Sequence, residues 1–124
     1  MELESLKSMQ DAFYRPIGVD ITHISRFEKA DINFAKRILS IDEFNQFIKL
    51  KTEQKALFLA RAWAIKEAIF KANNKYYRFS QINLKKYNNR WHFLNFSISI
   101  SHDQDILIAF VLENVKENYE KNRN

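Results

Sequence analysis

The stretch LFLARAWAIKEAIFKA at 57–72 constrains this chain more than any other. At helical spacing it is apolar on most faces, yet it carries Lys66, Glu67 and Lys71. A helix that is apolar nearly all round is normally buried. Charges held in such a helix are either paired structural groups or parts of a site. The fold is therefore expected to be organised round one long helix, read here over 53–72, with its charges as the first question.

With 124 residues, 46% of them hydrophobic and 15% aromatic, the chain has the size and content of a single domain with a sizeable core, expected over 1–124. No apolar run is long enough to cross a bilayer, and the first twenty residues lack the basic start and apolar middle of a signal peptide, so a cytoplasmic protein is expected. There is no cysteine, which excludes disulfides, thiolate metal sites and a cysteine nucleophile. The formal charge of +5 favours an acidic partner: nucleic acid, a phosphorylated small molecule or an acidic protein.

Along the chain, Leu3, Leu6, Met9 and Phe13 have the spacing of a short amphipathic helix over 1–14. Pro16 stops it. IGVDIT at 17–22 reads as a buried strand in which Gly18 lets a neighbour approach closely. The pattern over 23–39 is helical, with a basic rim of Arg26, Lys29, Lys36 and Arg37. Ser40 and Glu43 have the spacing of a capping box, so a further helix is expected to begin there. After the central helix, strands are read at 79–87, 90–94, 96–101 and 105–113, with Asn88 and Asn89 as a hairpin turn. The last of these is apolar on both faces and is expected at the centre of a sheet; a charged tail follows over 114–124.

Three groups carry the chemistry. Glu67 and Lys71, four apart with the acid first, have the spacing of an ordinary stabilising helix pair. Their setting among Trp63, Ala64, Ala68 and Phe70 also fits a site. Asp20, between Val19 and Ile21 in a strand, is costly to bury unless it is paired, hydrogen-bonded or bound to a metal. Together Asp20 and Glu67 form a pair of carboxylates suited to Mg²⁺, which takes one or two protein carboxylates and completes its shell with water and phosphate oxygens. His102, at a strand end, is placed to meet a phosphate or move a proton, or simply to be solvated.

These residues lie in stretches that resemble holo-[acyl-carrier-protein] synthase, the small bacterial type of 4′-phosphopantetheinyl transferase. The stretches are IGVDITHISRF at 17–27, FAKRILSIDEF at 34–44, FLARAWAIKEAIFKA at 58–72 and SISISHD at 97–103. Two are specific: G-x-D followed by an arginine six residues after the acid, and W-A-x-K-E-A-x-x-K-A. The resemblance implies an α+β fold in which a long helix packs on an antiparallel sheet. It implies an enzyme that moves the 4′-phosphopantetheine arm of coenzyme A onto a serine of apo acyl carrier protein, releasing adenosine 3′,5′-bisphosphate.

By the same resemblance, Mg²⁺ is held by Asp20 and Glu67, and Lys71 is the active-site lysine. Lys66 and His102 fall at coenzyme A positions, while Arg26 and Arg37 meet the acidic helix of the carrier. The family is typically a homotrimer with its sites at subunit interfaces. Glu67, Asp20 and a metal-bound water are each candidates for taking the serine proton. The chain departs from the family at 73–77, where Asn, Asn, Lys, Tyr and Tyr replace a glycine-rich segment, and at Arg61, one place from the usual arginine. Residues 1–16 extend beyond the family's usual start. Two other readings stand beside the transferase: a basic nucleic-acid-binding module, and a family member that only binds its carrier.

Overall fold

The computed structural model describes residues 15–115, together with Leu3, Ser5 and Leu6. Apart from those three positions, the helix read over 1–14 lies outside the described residues, as does the tail beyond 115. Strand β1, Ile17–His23, is followed by a 3-10 turn at Ile24–Phe27 and two short helices, α1 at Ile32–Ile38 and α2 at Ile41–Phe47. Helix α3, Thr52–Ala72, is the central element. A second 3-10 turn at Phe79–Gln81 leads to strands β2 (Lys85–Tyr87), β3 (Arg90–His92), β4 (Phe96–Asp103) and β5 (Ile106–Glu113).

The main sheet is antiparallel in the order β1–β5–β4, while β2 and β3 form a separate hairpin. The expected centre of the sheet is indeed β5. Its register sets Asp20 beside Ala109, which pairs in turn with Ile100. Side chains alternate between faces. Asp20 and the buried Gly18, Thr22, Leu107, Ala109 and Val111 face α3, and Ile17, Val19, Ile21, Ile106, Ile108 and Phe110 are exposed on the other side. The result is an α+β fold with one sheet face covered by the helix.

Gly18 is what lets β1 and α3 touch. A Cβ built there would lie 1.8 Å from the carbonyl oxygen of Ala68, far inside contact distance, so no other residue fits without moving the helix. Nearer the start of α3, Trp63 packs with Phe27, Phe34 and Phe79 at ring separations of 5.8–6.2 Å.

Two expected elements are broken by competing hydrogen bonds. The single helix read over 23–39 divides because Asp105 accepts from Ser25 N at 2.8 Å and Asp31 caps a new start by accepting from Phe34 N at 2.8 Å. The strand read over 79–87 is reduced to its end. Phe79 O accepts from Lys66 and Leu84 N donates to Glu43, so these groups are taken before a ladder can form. The capping box at Ser40 and Glu43 is present. Asn88 and Asn89 have φ of 52° and 58°, the left-handed pair that a two-residue hairpin turn requires.

Candidate active site

The strand–helix contact at Gly18 fixes where the nearby polar side chains go. Asp20 is one pleat further along the same face of β1, and Glu67 and Lys71 lie a helical turn apart on α3. Lys71 Nζ donates to Asp20 Oδ1 at 3.0 Å and to Val19 O at 3.1 Å. The helix lysine thus pairs across to the strand acid. An ammonium has three donors, so one is left for a ligand.

Asp20 is only 12% exposed at its side chain. Its Oδ2 is buried with no hydrogen-bond partner among the described residues, as is the hydroxyl of Thr22 on the same strand face. A buried carboxylate oxygen without a partner is costly, and a hard cation is the kind of group that satisfies it. The donor set therefore fits Mg²⁺. Among the described residues no group of three or more His, Cys, Asp or Glu gathers to hold a metal.

Burial pushes the Glu67 carboxyl above its ordinary value, and the charge of Asp20 raises it further; Lys71 and Arg26 pull it back. A raised acid pKa means the folded protein holds this proton more tightly than the unfolded chain does. Glu67 therefore costs stability above its folded pKa, and the cost disappears as pH falls through that value. The expected result is a thermal midpoint that drops as pH rises above the ordinary glutamate range of about 4.3 by more than in Glu67→Gln. Added Mg²⁺ should reverse the difference. Paired melting curves of the two proteins across pH check both points.

Arg26 and Arg37 sit at the aromatic cluster. The Arg26 guanidinium lies 4.9 Å from the Trp63 ring and 5.5 Å from that of Phe27, and Arg37 lies 5.8 Å from Phe34. Both cations are exposed along this aromatic cluster, and the field of Arg26 reaches Glu67. His102 is exposed at the end of β4, on the outer strand of the sheet. Its cross-strand neighbour is Leu107, whose neighbour on the other side is Thr22. It is thus two strand spacings, about 10 Å, from β1, and within this chain it is not brought to Asp20.

Lys66 corrects the sequence reading. It is 0% exposed, and Nζ donates to Glu43 Oε1 at 2.6 Å, Ile38 O at 2.7 Å and Phe79 O at 2.9 Å. All three donors are used internally. Lys66 is therefore not placed to bind a cofactor; it ties α3 to α1, α2 and the second 3-10 turn. Sequence reasoning picked out Glu43 only as a cap and missed it as the partner of Lys66. Alternation along β1 was the available signal for Thr22.

A strand acid, a helix acid and a lysine thus meet at one strand–helix contact. The chain belongs to the 4′-phosphopantetheinyl transferase superfamily, whose family model matches residues 16–121. Its relatives include a holo-[acyl-carrier-protein] synthase of Mycoplasma mobile, 53% identical over 100 residues that cover 81% of this chain and 90% of the relative. Another, from Mycoplasmopsis pulmonis, is 46% identical over 77% of this chain and 86% of its own length. Among solved structures, a holo-(acyl-carrier-protein) synthase from Bacillus anthracis in complex with CoA (3′,5′-ADP) superposes with a TM-score of 0.71 at 30% identity, covering 79% of this chain and 94% of that one. The Helicobacter pylori enzyme in complex with coenzyme A gives 0.62 at 27% identity, covering 79% and 99%.

Proposed function

We propose that this protein transfers the 4′-phosphopantetheine arm of coenzyme A to a serine of apo acyl carrier protein, as a Mg²⁺-dependent holo-[acyl-carrier-protein] synthase in the supply of carriers for fatty acid synthesis. The observation that carries the reading is the meeting of Asp20, Glu67 and Lys71 at one strand–helix contact in a chain of this family. The carrier serine Oγ attacks the β-phosphorus of coenzyme A. The P–O bond to adenosine 3′,5′-bisphosphate breaks, and the serine proton leaves with a base.

The protein's work here is positioning and charge neutralisation, because the nucleophile belongs to the carrier. Asp20 and Glu67 would hold Mg²⁺, which when bound neutralises and aligns the diphosphate. Lys71, with one donor left over from Asp20 and Val19, stabilises charge on the leaving phosphate. Of the two carboxylates, Glu67 is the better proton acceptor, since burial raises its affinity for the proton. Arg26 and Arg37 present a fixed cationic edge to the acidic helix of the carrier.

The exposed apolar face of the sheet, with Val19, Ile21, Ile108 and Phe110 each more than 40% exposed, supports a homotrimer in which three such faces meet. In that assembly His102 of a neighbouring subunit would contact the coenzyme A phosphates, which the separation of His102 from Asp20 within one chain leaves room for. Light scattering is expected to give three times the mass of one chain, and Ile108→Asp to give a monomer; a wild-type monomer at micromolar concentration would remove the trimer.

The transferase is tested directly. Purified protein with Mg²⁺, coenzyme A and apo carrier is expected to add about 340 Da to the carrier, the mass of the transferred arm. Salt-sensitive oligonucleotide binding with no mass gain would favour the nucleic-acid module instead.

A further inference from the structure

The 3-10 turn at Ile24–Phe27 is the short element that presents Arg26, and its own neighbours do not cap its start. His23, at the N-cap position, makes no capping hydrogen bond through its side chain. The cap comes from 80 residues away. Asp105 lies in the tight turn between β4 and β5, where Gln104 takes φ of 55°. Its Oδ1 accepts from Ser25 N at 2.8 Å and its Oδ2 from Ser25 Oγ at 2.7 Å, while its carbonyl accepts from Ile24 N at 2.8 Å. A carboxylate that accepts from the first N–H groups of a helical turn does the work of an N-cap. The bonds from Ser25 hold the Asp105 carboxyl below its ordinary value, so the charged form is the one that clamps the turn. His23 Nδ1 borders the same Oδ2 at 3.4 Å.

Ser25 and Asp105 are both exposed, and polar contacts between exposed groups add little to overall stability. What this one fixes is position. The far end of the turn is anchored separately by Phe27, 3% exposed, whose ring packs 6.2 Å from that of Trp63. Between the two anchors stands Arg26, exposed, with its guanidinium 4.9 Å from the Trp63 ring. A cation whose backbone is held on both sides keeps its spacing from the neighbouring basic groups, and such spacing sets register on an acidic surface.

We propose that Asp105 is a positioning residue for the carrier: by capping the 3-10 turn at Ser25 it sets the place from which Arg26 meets the carrier's acidic helix. This rests on the reading above in which Arg26 faces the carrier. The effect falls on carrier affinity and not on coenzyme A or the chemical step, because Asp105 touches the turn and neither the Asp20–Lys71 pair nor Glu67.

Steady-state modification of apo carrier, with carrier and coenzyme A varied in turn, tests this in the full chain. In Asp105→Ala, KM for the carrier is expected to rise about fivefold or more, the scale of one charge contact at the rim of an interface, with kcat and KM for coenzyme A within about twofold of wild type. Asp105→Asn keeps an amide oxygen for Ser25 N and turns its NH₂ to the Ser25 hydroxyl, which can accept, so it should restore most of the carrier KM. Ser25→Ala removes a single hydroxyl; it should raise carrier KM by less, and it keeps the test open if Asp105→Ala folds poorly. In an Arg26→Ala background Asp105→Ala should raise carrier KM no further, since the residue it acts through is gone. The proposal is overturned if carrier KM in both Asp105→Ala and Ser25→Ala matches wild type, if kcat or KM for coenzyme A changes as much as carrier KM, or if Asp105→Ala keeps its full effect without Arg26. It is also overturned if Arg26→Ala itself leaves carrier KM unchanged. Failure of the transferase reading shows separately, as no carrier modification by wild type, and it takes this proposal with it.

Discussion

Glu67→Gln is expected to lower carrier modification by about a thousandfold or more: on the proposed reading it removes one of the two carboxylates that would hold a divalent cation, and such a cation contributes several kcal/mol to a phosphoryl-transfer transition state. The fold should survive. Glu67 is only partly buried, and no hydrogen bond or ion pair holds its carboxylate among the described residues; the same substitution also abolishes the raised pKa that costs stability near neutrality. The variant should therefore melt at or above the wild-type temperature while losing turnover and Mg²⁺ affinity together. Calorimetric titration with Mg²⁺ beside the mass-shift assay checks this. Turnover within tenfold of wild type would take Glu67 out of the metal site.

Lys66→Met is expected to act in the opposite sense, on the fold before the chemistry. It leaves Glu43, 3% exposed, buried without its counter-ion, and breaking such a pair from one side costs about 3–5 kcal/mol. It also strips the carbonyls of Ile38 and Phe79 of a donor. Glu43→Gln in the same chain removes the stranded charge and keeps one amide oxygen as the acceptor for Ser40 N, while its NH₂ takes the place of the oxygen that faces Leu84 N. The double variant should then be less destabilised than the two single changes added together. Urea unfolding of all four proteins checks it, and strict additivity would show that the pair is not coupled.

Much of this architecture could be read from residue order, and the exceptions have a common cause. Local rules placed β1, the capping box at Ser40 and Glu43, the length of α3 and the central position of β5, because each depends on spacing or on neighbours along the chain. The need for Gly18 against a neighbour was legible as well; that the neighbour is the Ala68 carbonyl was not. The failures over 23–39 and 79–87 came from partners 80 and about 40 residues away: Asp105 holding Ser25, and Glu43 holding Leu84. The same limit governs the site. Spacing suggested that Glu67 would pair with Lys71, whereas the fold gives Lys71 to Asp20, 51 residues distant. It also left Lys66 and Glu67, adjacent in sequence, to be told apart only by which side of the helix each faces. One is wholly interior; the other lies at the strand–helix contact.

The Lys71–Asp20 contact also bears on how Asp20 meets a ligand. A free aspartate rotates about χ2 and presents either oxygen. Here Oδ1 is tethered to the ammonium while Oδ2 is left bare, so the carboxylate plane is held and its two oxygens are no longer equivalent. The rotational entropy that a cation would otherwise have to remove from this side chain is already lost on folding. On the proposed reading Asp20 would be a one-armed ligand aimed in advance, and replacing Lys71 by a neutral residue should loosen that aim as well as remove a charge.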